Sequence, residues 1–152
     1  CGPGAGIEAG LKAARQEWAM FVPVDVPLVP GELLRRWVEA TIAVVPEFEE
    51  TAGTLLGSSL YTKMGKEPAF AVLRPEVLPI LQAGLDAGER RLDVLLGNIR
   101  LREGHARYLR ADAAWHASPA DEETLRRWFA NVNTSEELAE AEAWAEEVER
   151  ER

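Results

Sequence analysis

The 152-residue sequence contains a single cysteine, which excludes an internal disulfide and suits a reducing cytoplasmic compartment. No apolar run approaches the ~20 residues that a bilayer-spanning helix needs. Positive charge is also scarce. Seventeen Lys and Arg face 26 Asp and Glu, giving a formal net charge of −9. That balance argues against nucleic acid or an anionic membrane as the main partner, because both are recognised through basic surfaces. It leaves room for a local basic site that binds a phosphorylated small molecule. Only two histidines occur, His105 and His116, and neither has a second ligand at metal spacing. No Ser/His/Asp set, paired-cysteine metal motif or complete Walker loop can be assembled, and no internal repeat or low-complexity segment is present.

What is there fits one domain over residues 1–152. Hydrophobic residues make up 47% of the chain, and a domain of this size buries roughly 70% of its unfolded surface. The apolar run Trp18 to Val22 predicts a strand covered on both faces, as in the centre of a parallel sheet. The following Pro23-Val-Asp25-Val-Pro27 forces the chain into a loop and leaves Asp25 at the strand's carboxyl end, where open α/β sheets bind ligands. Upstream, Gly2-Pro-Gly-Ala-Gly6 predicts a turn opening a helix from Ile7 to about Arg15. Downstream, Leu33, Leu34, Trp37, Val38, Thr41 and Ile42 predict an amphipathic helix over Gly31 to Ile42. Residues 44–53 predict an irregular stretch or short helix. Leu55 to Thr62 and Ala69 to Leu73 predict a hairpin closed by Lys63 to Glu67.

Pro75 suits the first turn of a helix carrying Val77, Leu78, Leu81 and Leu85, with Pro79 kinking it or delaying its start. A second helix follows with Leu92, Leu95, Leu96 and Ile99 on its apolar side, then a short strand over His105 to Leu109. Ala111 to Arg127 reads as polar and irregular. The last helix is the clearest. Thr134 and Glu137 form a capping box, and Leu138, Ala141, Ala145 and Val148 make one stripe.

Four groups of residues could carry chemistry. Asp25 is either a loop aspartate or a holder of Mg²⁺, an ion that keeps several waters and bridges substrate phosphates. Gly2 to Gly6 is either a tight connection or a backbone approach to phosphate at a helix N-terminus. Arg90 and Arg91 offer guanidinium forks for phosphate, or are solvated helix charges. Asn131 and Asn133 place two amides on alternate residues before a helix, as turn residues or ligand contacts. Cys1 has no flanking environment that assigns it a role. The glutamates of the last helix read as a solvated face.

Four segments in order, Gly2-Pro-Gly-Ala-Gly6, Val22-Pro-Val-Asp25-Val-Pro, Ala87-Gly-Glu-Arg-Arg91 and Phe129-Ala-Asn-Val-Asn-Thr-Ser-Glu-Glu-Leu138, resemble the molybdenum cofactor guanylyltransferases. The resemblance runs from Gly2 into the final helix. It implies a Rossmann-like nucleotidyltransferase fold, a three-layer α/β sandwich, and transfer of GMP from GTP–Mg²⁺ to molybdopterin with release of pyrophosphate. It further implies Asp25 as the Mg²⁺-holding, catalytic aspartate and Gly2 and Gly6 as glycines near the nucleotide. Arg91 then matches a functional arginine on the catalytic and pterin side, and Asn131 and Asn133 match the asparagines assigned to molybdopterin. GTP and molybdopterin become the expected partners, with other proteins of molybdenum cofactor biosynthesis beside them.

The asparagines favour a guanylyl enzyme over the related cytidylyltransferases, which tend to carry aspartates there. Glu67-Pro68 stands where His-Pro is usual, and Ser135 replaces a common proline. The family's N-terminal strand and its glycine-rich triphosphate loop with Arg and Lys do not occur in these residues. The expectation is therefore the carboxyl-terminal portion of such an enzyme, lacking the first strands of the sheet and inactive alone. Two alternatives stand beside it, a non-catalytic pterin- or nucleotide-binding module and a sister nucleotidyltransferase for another nucleotide.

Overall fold

A computed structural model describes residues 2–52, 54–62, 65–103, 106–110 and 121–150. Its chain order is α1 (Pro3–Ala13), β1 (Ala19–Phe21), α2 (Gly31–Ala43), α3 (Val45–Ala52), β2 (Gly57–Thr62) and β3 (Gly65–Leu73). A single 3₁₀ turn (Pro75–Val77) then leads into α4 (Leu78–Asp86), followed by α5 (Leu92–Glu103), β4 (Ala106–Arg110), α6 (Glu122–Trp128) and α7 (Ser135–Arg150). The four strands form one sheet in the order β1-β3-β2-β4. β3 runs antiparallel to both β1 and β2, whereas β2 and β4 are parallel.

Helices cover both faces, giving three layers. On one side Ile7 and Leu11 of α1, Leu81 of α4 and Leu92, Leu95 and Leu96 of α5 bury against Ala71 and Leu73. On the other, Leu33 and Trp37 of α2 and Leu125 and Phe129 meet Leu60, Phe70 and Val72. The alternation of 71 and 73 with 70 and 72 follows from the period-2 geometry of a strand. Edge-on aromatic contacts run from Trp37 to Phe70 (6.4 Å) and from Phe70 to Phe129 (5.2 Å). They tie α2, β3 and the end of α6 together.

α2 forms where the apolar spacing places it, with Leu33, Trp37 and Thr41 buried at intervals of four. Its inner face also carries a closed polar ring. The Trp37 indole N–H donates to Ser58 Oγ (3.2 Å), Ser58 lies 2.7 Å from Thr41 Oγ1, and Thr41 donates to the Trp37 carbonyl (2.9 Å). With Thr41 donating to the carbonyl, the remaining hydroxyl hydrogen is that of Ser58, so each group donates once and accepts once.

Several expectations are corrected. β1 is three residues long and pairs antiparallel with β3 only, so among the described strands it lies at an edge rather than in a parallel centre. Met20 and Val22 are 43% and 41% exposed, so the strand is not covered on both faces. An uninterrupted apolar run reports burial but not which neighbours supply it.

Gly4 and Gly6 lie inside α1, not in a turn before it, because Pro3 sits in its first turn with φ already suited to a helix. Gly10 allows the close seat of α1 on β1: a Cβ there would lie 2.5 Å from Phe21 Cε1. Residues 122–128 are helical rather than irregular. Asp121 accepts the Thr124 amide (2.7 Å) as an N-cap, and Arg126 and Arg127 complement the helix's C-terminal end. The expected stripe on α7 is mostly not buried. Ala141 is buried, but Leu138 is 47% exposed and Ala145 is exposed. The side chain of Val148 lies outside the described set, as do Cys1, Lys63, Met64, His105, His116 and the rest of 111–120.

The hairpin stands, with β3 starting earlier at Gly65. Its register shifts between Ser59 and Leu60, which pair with Ala71 and Glu67, so residues 68–70 bulge. Pro68, which has no N–H to offer the ladder, falls inside that bulge. Residues 45–52 take the short-helix option, and Pro79 delays α4 behind the 3₁₀ turn without kinking it. At the end of β3 the nearly buried Arg74 pairs with Glu17 (2.7 Å) and Glu49 (2.9 Å) and lies 4.7 Å from the Trp18 ring centroid. It fixes the approach to β1.

Candidate functional site

After β1 the chain turns out through Pro23 and Val24 to Asp25, as its prolines dictate. The residues from Phe21 to Asp25 form one wall of an open cleft of about 670 Å³, with Pro3, Gly6 and Ile7 of α1, Ala69 of β3 and Leu92 of α5 completing it. The lining is apolar except for one carboxylate. Asp25 is half-buried, and no described side chain pairs with it. Among the described residues no group of three or more His, Cys, Asp or Glu could enclose a metal ion. A lone unpaired carboxylate still fits Mg²⁺, which needs only one or two carboxylates when substrate phosphates and waters fill its remaining positions.

The turn that carries the asparagines is tied to the Asp25 loop through backbone atoms. The Val132 amide donates to the Asp25 carbonyl at 2.7 Å. Val132 stands between Asn131 and Asn133, so one backbone bond joins the acid loop to the asparagine turn across more than a hundred residues of sequence. Buried Phe129 anchors that turn on one side. On the other, the Glu137 carboxylate accepts both the Asn133 amide (2.7 Å) and the Thr134 amide (2.9 Å), and the Thr134 hydroxyl accepts the Glu137 amide (3.2 Å). The capping box is therefore formed as the sequence predicts, with one extra donor. Those backbone donors hold the Glu137 carboxyl below the usual carboxylate range. Both asparagine side chains are exposed.

Arg91 is less committed. It immediately precedes Leu92 of the cleft wall, but its guanidinium is 72% exposed and pairs with Asp93 at 2.8 Å. That pairing raises the Arg91 pKa and lowers that of Asp93. The backbone beneath it is well fixed. α4 ends in a Schellman arrangement, with Gly88 at φ +88° and its amide on the Leu85 carbonyl, and the Glu89 amide on the Gly84 carbonyl. Glu89 Oε1 then accepts the amides of both Arg90 and Arg91 at 2.7 Å.

Gly6 lines the Asp25 cleft, whereas Gly2 lines a separate hollow of about 230 Å³ with Ala5, Glu8, Leu85, Asp86 and Arg90. The structure thus brings together Asp25, Gly6 and the turn carrying Asn131 and Asn133, puts Arg91 beside a lining residue, and places Gly2 on the opposite side of α1. Sequence reasoning missed Phe21, Ile7 and Leu92 as wall residues, since apolar side chains carry no chemical signal. It also missed the Val132 bond, which is made by backbone atoms.

A three-layer α/β sandwich with a carboxylate in the loop after β1 is the architecture of a Rossmann-like nucleotidyltransferase. Comparison with known proteins bears this out. The family described as MobA-like NTP transferase domain matches residues 1–106, and the chain belongs to that family. It is 30% identical over 139 residues to a molybdenum cofactor guanylyltransferase of Vibrio atlanticus, covering 91% of this chain and 58% of that one. It is 35% identical over 99 residues to a protein of the same name from Pseudomonas entomophila, covering 64% and 47%.

The crystal structure of molybdopterin-guanine dinucleotide biosynthesis protein A from Archaeoglobus fulgidus superposes with a TM-score of 0.65 at 23% identity. That match covers 96% of this chain and 64% of the other. The chain spans about half the length of the curated relatives it matches. No helix among the described residues is long and apolar enough to cross a membrane.

Proposed function

We propose that this chain carries the acceptor side and the metal-holding carboxylate of a molybdenum cofactor guanylyltransferase, working with Mg²⁺, GTP and molybdopterin in the cytoplasm. In that reaction an oxygen of the molybdopterin phosphate attacks the α-phosphorus of GTP. The new phosphorus–oxygen bond forms as the bond to the β-phosphate bridge breaks, and pyrophosphate departs with the electron pair. Such transfers need positioning and charge neutralisation more than covalent help from the protein.

Asp25 would hold the Mg²⁺, which supplies positive charge to the phosphate oxygens. Gly6 leaves one cleft wall low near the nucleotide, Gly2 lies across α1 in its own hollow and takes no part in the cleft, and Asn131 and Asn133 would hold the pterin phosphate by their amide N–H groups. Arg91, released from Asp93, would add cationic charge. The observation that supports this reading is the 2.7 Å backbone bond from Val132 to Asp25, which ties the asparagine turn to the acid loop in a chain of this family.

The test is to titrate the chain with molybdopterin and to assay pyrophosphate with GTP, Mg²⁺ and molybdopterin. The expected result is molybdopterin binding that weakens in Asn131→Ala and Asn133→Ala, with no pyrophosphate release from these 152 residues alone. Unchanged binding in both variants would overturn the assignment of the asparagines. Pyrophosphate release by the chain alone would overturn the need for a separate triphosphate-gripping segment.

A further inference from the structure

We infer that Glu137, on the helix that follows the asparagine turn, is a positioning residue that holds Asn131 and Asn133 in register with Asp25. The inference rests on the reading of those asparagines as acceptor contacts. Three bonds hold the turn. At its centre the Val132 amide is held by the Asp25 carbonyl (2.7 Å), and at its end the Asn133 and Thr134 amides are held by one Glu137 oxygen (2.7 and 2.9 Å). An ordinary capping box uses the glutamate for a single backbone donor at the cap. Here the same oxygen reaches one residue further back and takes the Asn133 amide as well.

The rest of α7 is poorly suited to fix the turn. Of its residues with described side chains Ala141 is buried, and Leu138, five residues beyond Asn133, is 47% exposed. Trp144 is half-buried with the Arg127 guanidinium 5.5 Å from its ring centroid, and Arg127 also lies 3.7 Å from Glu147, but these contacts fall two turns or more beyond the asparagine turn, whose backbone is bonded by the first turn of α7.

The experiment compares Glu137→Ala, Glu137→Gln and, as a control on the same exposed helix, Glu140→Ala in the whole 152-residue chain. It measures amide hydrogen exchange at Val132, Asn133 and Thr134 and the dissociation constant for molybdopterin. Loss of a cap corresponds to about a fivefold shift in an opening equilibrium. Glu137→Ala is expected to speed exchange by at least that factor at all three amides, including Val132, whose partner is Asp25 and not Glu137. It is also expected to weaken molybdopterin binding about as much as Asn133→Ala. Glu137→Gln, which keeps an acceptor oxygen, restores both, and Glu140→Ala changes neither.

Unchanged exchange at Val132 in Glu137→Ala overturns the inference. So does unchanged molybdopterin affinity in Glu137→Ala when Asn133→Ala has lost it, an outcome that leaves the asparagine assignment intact. If Asn131→Ala and Asn133→Ala bind molybdopterin normally, the functional reading fails and the inference fails with it, even where the Val132 exchange confirms the clamp.

Discussion

Replacing Ser58 by alanine removes the one group that closes the polar ring beneath α2. Ser58 is 2% exposed, and Trp37 and Thr41 are fully buried, so water cannot replace the lost hydroxyl. Thr41 keeps its bond to the Trp37 carbonyl, but the Trp37 indole N–H loses its Ser58 acceptor. Leaving a buried donor unsatisfied costs about 1–3 kcal/mol, to be set against a net loss of about 1 kcal/mol for an ordinary hydrogen bond.

We expect Ser58→Ala to destabilise the chain by roughly 2 kcal/mol. With a urea slope of about 1–3 kcal/mol/M for a domain of this size, the unfolding midpoint falls by about 1 M. Unfolding followed by circular dichroism at 222 nm gives the number, and a cycle with Thr41→Val separates the ring from simple loss of side-chain volume. Coupling between the two substitutions is expected. A change below about 0.5 kcal/mol, the range of an exposed substitution, would refute the ring as a stabilising unit.

Three further outcomes can be checked on the same chain. Gly88→Ala forces a side chain onto a residue at φ +88° and should destabilise by roughly 1–2 kcal/mol in the same urea experiment; no change would mean that the α4 terminus rearranges freely. Burial pushes the Glu67 carboxyl above its ordinary value, so the folded chain binds this proton more tightly than the unfolded one. Stability from this group is therefore full below the unfolded pKa and declines as pH rises through the folded pKa. Glu67→Gln should thus flatten that part of a stability–pH profile and raise stability near neutral pH, and a profile identical to the parent's would contradict it.

The last of the three concerns β1, whose segment carries Met20, Val22 and Val24 at 43%, 41% and 99% exposure without a charged residue between Trp18 and Val24. Sedimentation should show concentration-dependent association that Val22→Lys with Val24→Lys relieves; a parent chain that stays monomeric at high concentration would refute this.

Much of the scaffold is legible in the residues because its periodicity is strong. Leu33, Trp37 and Thr41 mark the inner face of α2, and Thr134 with Glu137 marks the start of α7. Pattern fails where tertiary neighbours decide. Trp18 to Val22 reads as central since it is apolar throughout, yet in the described sheet it is an edge. Leu138 and Ala145 keep helical spacing, yet no described element covers them. Pro3 moves the start of α1 ahead of its glycines, a choice the glycines alone disfavour.

The site was legible in parts. Asp25, Gly6, Asn131 and Asn133 carry chemical or conformational signals and could be named singly. The link between the acid loop and the asparagine turn is made by the Val132 amide and the Asp25 carbonyl, backbone groups that every residue other than proline possesses. Arg91 shows the reverse: its charge is plain in the sequence, but its pairing with Asp93 is set by the start of α5.

If Asp25 and the asparagine turn form one site, a metal ion held by Asp25 lies close to both asparagine side chains. Mn²⁺, a paramagnetic stand-in for Mg²⁺, tests it directly when added with GTP to amide-labelled protein. The side-chain amide signals of Asn131 and Asn133 should broaden well before that of Asn98 on α5, and Asp25→Asn should abolish the difference. Broadening that spares the two asparagines, or that persists undiminished in Asp25→Asn, would contradict it.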